Sequence, residues 1–258
     1  MARTNPWFTV FRPRPNPRLT LYCLPCAGGG PTMFRSWVDQ LPEWVELRAV
    51  RLPGRPGRHR EPLFTDVDLA VEALLAGLGT ELAGRYAFIG HSMGAMLAYR
   101  MTLALRQRNA VLPLLLAVAS WPPSGASPEV MPEPTDSDAA FAADLRRLGG
   151  VPDELLANPA MTKLFLPVLR ADFRLCRSYV YRPAAPLGMP VIALGGDTDT
   201  VTPPETLASW RHEASDFRGL HLFPGGHFFI ADHVPQLTDL IVQAACSADR
   251  PSDPARER

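Results

Sequence analysis

Gly90-His91-Ser92-Met93-Gly94 is the feature that most narrows what this chain can become. The apolar run Tyr86-Ala87-Phe88-Ile89 before it reads as a buried strand, and Met93 to Arg108 after it reads as a helix. A strand that turns this sharply into a helix needs small residues two before and two after the turning serine, and glycines stand at both places. The turn then holds the Ser92 hydroxyl out at the carboxyl end of a sheet, near a helix N-terminus. Alone, G-x-S-x-G recurs by chance. Its setting between strand and helix gives it meaning.

The rest of the chain repeats that rhythm. Leu19–Leu24, Val45–Leu52, Leu112–Ser120, Pro190–Leu194 and Leu220–Phe223 read as further strands. Helical spacing marks Val67–Leu82, Glu205–Glu213 and Pro235–Ala245. Near-continuously apolar strands alternating with helices predict a mostly parallel sheet with helices on both faces. The first twenty residues, rich in Pro and Arg, are expected as a loosely packed arm. Residues 122–187 break the rhythm with helical patterns at Ala139–Leu148, Asp153–Ala157 and Met161–Tyr179, and predict a helical lid inserted over the strand ends. The expectation is one domain over residues 1–246, then a disordered polar tail at 247–258.

A nucleophilic serine needs a base, and the base needs an orienting carboxylate; with this kind of elbow the chain order is Ser, acid, His. His59 precedes the serine, His91 lies in the elbow itself, and His212 and His221 fall within a helix and a strand. His227 follows Pro224-Gly225-Gly226, just past the last strand, and is the expected base. Asp197 and Asp199 both follow the strand Val191–Leu194. The first is the better placed to cap its own turn, so Asp199 is preferred as the triad acid. An oxyanion needs two backbone N–H donors: Met93, after the nucleophile, and Ala27 in the Gly-rich loop Pro25–Gly29, with Gly28 as the alternative. No G-K-[ST] follows that loop, so it is not a P-loop.

With Pro25-Cys26-Ala27-Gly28-Gly29, Arg51-Leu52-Pro53-Gly54-Arg55, Gly90–Gly94 and Gly225-Gly226-His227-Phe228 in order, the chain resembles the type II thioesterases of polyketide and non-ribosomal peptide synthesis. The lid stretches Leu145–Gly150 and Leu166–Phe173 share in the likeness. The resemblance implies an α/β-hydrolase fold and a Ser92–His227–Asp199 acyl-enzyme mechanism. It also implies the substrate: short or aberrant acyl groups on the phosphopantetheine arm of an acyl or peptidyl carrier protein. Cys26 departs from the His or Phe usual in that family, which bears on substrate preference.

The 26 basic residues, only one of them lysine (Lys163), balance 26 acidic ones, so nucleic acid and anionic membranes are not expected partners. No apolar stretch approaches 18 residues and no signal-like segment opens the chain. A cytoplasmic monomer with reduced cysteines is expected. Cys23 and Cys26 form a C-x-x-C, but no second pair or histidine cluster completes a zinc set, so neither metal nor other cofactor is expected. Arg51, Arg55 and Arg58 read equally as contacts for an acidic carrier protein and as salt-bridged loop residues. Phe165, Leu169 and Phe173 are candidates for an acyl channel. Two further readings stay open: a small-molecule carboxylesterase, and a catalytically idle binding module on the same fold.

Overall fold

The computed structural model describes residues 5–125, 131–135, 137–148 and 158–247. Seven strands make one sheet: β1 Phe8–Thr9, β2 Leu19–Leu24, β3 Val45–Val50, β4 Tyr86–His91, β5 Leu116–Ala119, β6 Leu187–Gly196 and β7 Ala214–Phe223. Their spatial order is β1-β3-β2-β4-β5-β6-β7. Only β1 runs antiparallel, against β3. Between and after them lie α1 Val67–Leu78, α2 Met93–Gln107, α3 Asp138–Leu148, α4 Pro159–Arg177, α5 Pro204–Leu207 and α6 Val234–Ser247.

Side-chain alternation explains why the central strands look uniformly apolar. Tyr22, Leu24, Tyr86 and Phe88 enter the core shared with Leu74 of α1 and Met96 of α2. Their neighbours Leu21, Cys23, Ala87 and Ile89 enter the opposite core, shared with Leu237 and Ile241 of α6. Both faces are covered, so every residue of β4 is buried. Helix α1 buries Val67, Ala70, Val71, Leu74, Leu75 and Leu78, one face at helical spacing, and the Asp66 side chain caps it by accepting from the Leu69 amide.

The differences from expectation have local causes. Strand β5 starts at Leu116 rather than Leu112, because Pro113 has no amide hydrogen to give a ladder. Strand β7 starts six residues early, at Ala214; the Asp216–Arg218 pair and Gly219 hide its character in the sequence. Pro190 sits inside β6 at a register shift against β7, and pairing with β5 begins only at Val191. The helix expected at 205–213 is split into α5 and a 3₁₀ turn, Ala208–His212. Nor is the N-terminal arm loose from Asn5 onward. The Asn5 side chain donates to the Gly77 carbonyl, and the Arg58 guanidinium stands 3.8 Å from the centre of the Trp7 ring. A Cβ on Gly77 would lie 2.1 Å from Trp7 Nε1, so the glycine makes room for the indole.

The chain leaves β2 for β3 on one side, then returns to place β4 on the other. Such a reversal opens a crevice beyond the carboxyl ends of the two strands. The loop after β2 and the 90–94 elbow after β4 both face it. Between β5 and β6, α3 and α4 pack on each other through Phe141, Leu145, Leu166 and Leu169, with Ala27 of the β2 loop against them. The described part of this interval contains no strand. The expected helix at 153–157 and the tail at 248–258 lie outside the described residues.

Candidate active site

Ser92 adopts φ 54°, ψ −119°, a left-handed conformation unusual for a residue with a side chain. The surrounding contacts enforce it. The Ser92 amide donates to Ala119 O of β5 at 2.8 Å, and its carbonyl accepts from Ala95 and Met96 to start α2. A Cβ on Gly90 would fall 2.2 Å from Gly94 O, and one on Gly94 2.0 Å from Leu24 O. Gly94→Ala therefore forces backbone apart from backbone. At about 3 kcal/mol for such overpacking, the melting temperature should fall by roughly 6–12 °C, read by calorimetry. An unchanged melting temperature would mean that the elbow is not held by this contact.

From the elbow a relay runs through three side chains brought from three strand ends. His227 Nε2 lies 3.0 Å from Ser92 Oγ, and His227 Nδ1 lies 2.9 Å from Asp199 Oδ2. A carboxylate only accepts, so the imidazole carries its proton on Nδ1, and Nε2 is left to accept from the serine hydroxyl. Asp199 is buried and has further donors: Ser120 Oγ at 3.0 Å on Oδ2, and the Val201 and Thr202 amides at 2.8 and 2.9 Å on Oδ1. Burial alone would raise its pKa. The hydrogen bond and charge of His227, with the Thr202 and Ser120 donors, outweigh that and hold the carboxyl below its ordinary value. Asp197 is exposed instead, and its Oδ1 accepts from the Gly225 amide at 2.9 Å, tying the two loops.

The amide of Met93 is the first of α2 and so has no intrahelical acceptor. That of Ala27 has none among the described residues. The Gly28 amide, the alternative donor in the sequence, is engaged by Asp172 Oδ2 at 2.7 Å. Ser92, His227 and Ala27 border a cleft whose further walls include Trp121, Met131, Phe173 and Cys176. Of the three channel candidates only Phe173 lines it. Leu169 covers Gly28 and, with Phe165 packed partly against it, belongs to the α3–α4 core.

Cys26 also borders the cleft, but burial, then the nearby Asp172 charge, push its thiol up to about 11. It stays protonated and unreactive at neutral pH. All four cysteines are unpaired, and no metal-binding cluster occurs among the described residues. Nor is any described helix long and apolar enough to cross a membrane. Arg55 and Arg58 take the salt-bridged role: both are buried, Arg55 on Asp172 and Arg58 on Glu61. Arg51 donates to Pro6 O.

Sequence reasoning missed Ser120 and the part His91 plays. Ser120 follows the last residue of β5, at the same sheet edge as the elbow, and that register is the signal that finds it. His91 Nε2 donates to the His227 carbonyl at 2.7 Å. Burial and then the His227 charge lower the His91 pKa to about 3, so the ring is neutral and its Nδ1 is left without a partner.

A family model described as thioesterase domain matches residues 19–244. Thioesterase PikA5 of Streptomyces venezuelae is 37% identical over 229 residues, 88% of this chain and 80% of its own. The gramicidin S biosynthesis protein GrsT of Aneurinibacillus migulanus is 32% identical, over 89% of this chain and 90% of its own. Among solved structures, the type II thioesterase BorB from the borrelidin biosynthetic cluster superposes with a TM-score of 0.82 at 29% identity, covering 93% of this chain and 97% of that one.

Proposed function

The chain belongs to the thioesterase family, on the α/β-hydrolase fold, and from that premise we propose an editing role. The enzyme removes short or aberrant acyl groups from the phosphopantetheine arm of acyl or peptidyl carrier proteins in a polyketide or non-ribosomal peptide assembly line. The observation that carries the reading is the unbroken relay Ser92 Oγ–His227–Asp199, at 3.0 and 2.9 Å, beside an apolar cleft.

In this mechanism His227 Nε2 takes the Ser92 proton as the hydroxyl oxygen attacks the thioester carbonyl. Asp199 holds the Nδ1–H tautomer and stabilises the imidazolium. The Met93 and Ala27 amides receive the oxyanion. The tetrahedral intermediate collapses and expels the phosphopantetheine thiolate, a leaving group of pKa about 8.5 that needs little acid assistance; it takes the proton from His227 Nε2 and departs as the thiol, which leaves the imidazole neutral again. Water then gives a proton to His227 and attacks the acyl-serine, which releases the carboxylic acid and restores Ser92.

The described part of the insertion between β5 and β6, with α3 and α4, acts as the lid over this cleft. Carrier-protein contacts outside the cleft supply binding energy that orders the lid and so quickens the chemical step. Propionyl on a carrier protein should thus be hydrolysed with kcat/KM at least about tenfold above that of propionyl-coenzyme A or propionyl-N-acetylcysteamine. Steady-state kinetics on the three matched thioesters checks this. Equal values would make the small-molecule hydrolase the better reading, and failure of a serine-directed phosphonate to label the protein would favour the idle binding module.

A further inference from the structure

The loop that presents Ala27 is gripped by a buried ion pair that the relay does not use. Arg55 and Asp172 form a two-armed pair, Nη2 to Oδ2 at 2.5 Å and Nη1 to Oδ1 at 3.1 Å, with both side chains about 5% exposed or less. Neither partner serves only the other. Asp172 Oδ2 also accepts from the Gly28 amide, and Arg55 also donates through Nε to Gly29 O at 2.9 Å and through Nη1 to Pro53 O at 3.1 Å. Asp172 comes from α4, Arg55 from the loop after β3, and the glycines from the loop after β2. The pair therefore joins three segments at one point of main chain.

We propose that Arg55 and Asp172 are positioning residues for the oxyanion hole, anchoring this loop at the Gly28 amide and the Gly29 carbonyl so that the adjoining Ala27 amide stays available to the substrate oxygen. The proposal rests on the thioesterase mechanism above. Gly28 lies at φ +71°, where a glycine's peptide turns over at little cost. Turning this one over would replace the Gly28 N–H by the Ala27 carbonyl oxygen, facing a buried carboxylate. Repulsion between them, strong away from water, holds the peptide the right way round. Leu169 closes the loop from above, since a Cβ on Gly28 would lie 2.5 Å from Leu169 Cδ2. Apolar packing of this kind anchors α4 without charge, and buried ion pairs are on average poor stabilisers compared with apolar replacements. Loop geometry is what the pair adds.

Four variants test this: Asp172→Ala, Asp172→Asn, Arg55→Lys and the apolar double replacement Arg55→Met with Asp172→Leu. Each is assayed on propionyl-N-acetylcysteamine, for inhibition by propylboronic acid, and for melting temperature. The boronate forms a tetrahedral adduct on the serine and so reports transition-state binding. Asp172→Ala should lower kcat about 10- to 100-fold, with KM within about threefold, because the oxyanion donor is displaced rather than removed. Boronate affinity should fall by a similar factor. Arg55→Lys should do the same, since an ammonium cannot grip Gly29 O, Pro53 O and both carboxylate oxygens together. The apolar double variant should regain melting temperature yet stay slow. If it regains kcat along with stability, the pair is structural only and the proposal falls, while the serine mechanism stands. Should the alanine and double variants fail to fold, a folded Asp172→Asn enzyme with wild-type kcat and boronate affinity also overturns it, and one slow at unchanged KM supports it. Activity surviving in Ser92→Ala is the separate result that would remove the mechanism underneath.

Discussion

Ser92→Ala should fold as the parent does and hydrolyse thioesters no faster than a loss of about 10⁶ in kcat allows. The Ser92 Oγ has one side-chain partner, His227, so removing it breaks no structural hydrogen bond. The elbow is held through main-chain bonds to Ala119, Ala95 and Met96, which alanine keeps. The nearby thiols offer no substitute nucleophile, because Cys26 and Cys176 are held protonated by burial. Circular dichroism and a melting curve establish the fold, and mass spectrometry of protein quenched during turnover looks for the acyl-enzyme. A folded variant that keeps a tenth of wild-type activity would sink the nucleophile assignment.

Asp199→Asn should cost about 10⁴ in kcat, against a few-fold at most for Asp197→Asn. The Asp199 carboxylate accepts from His227, Ser120, Val201 and Thr202 together. An amide brings one oxygen and one NH₂ group, so it cannot satisfy four donors. Turned with its NH₂ towards His227, it selects the wrong tautomer and leaves Nε2 protonated and unable to take the serine proton. Asn in place of Asp197 keeps the one acceptor that the Gly225 amide uses, at an exposed site. Matched kcat values for the two variants decide the matter; the larger loss at Asp197 would exchange their roles.

What the sequence made legible follows from how short-ranged each signal is. The elbow is read from five consecutive residues, and His227 from a glycine pair directly past a strand. The two aspartates are separated by turn chemistry within three residues. The central strands announce themselves because both their faces are buried. Nothing local, by contrast, joins Arg55 to Asp172, 117 residues apart, or Ser120 to Asp199, 79 apart. The sequence does not choose between a partner contact and a salt bridge for Arg55, because only the packing of α4 removes it from water. Strand β7 is poorly marked in the sequence because it pairs on one side only, and an edge tolerates Asp216, Arg218 and Gly219.

The long reach of these contacts has a consequence in time. Synthesis runs from the N-terminus, at about 5–20 residues per second. Asn5 and Trp7 leave the ribosome before Arg58 and Gly77, so their seat does not exist until α1 has followed. The arm must wait, unpaired, for its own binding site to be made. Ser92 waits longer, since its partner His227 lies 135 residues downstream. A nascent chain thus exposes the elbow serine well before the His227 imidazole can reach it. On the mechanism proposed above, hydrolytic competence waits for His227, and a chain stalled before that residue displays a harmless, idle hydroxyl.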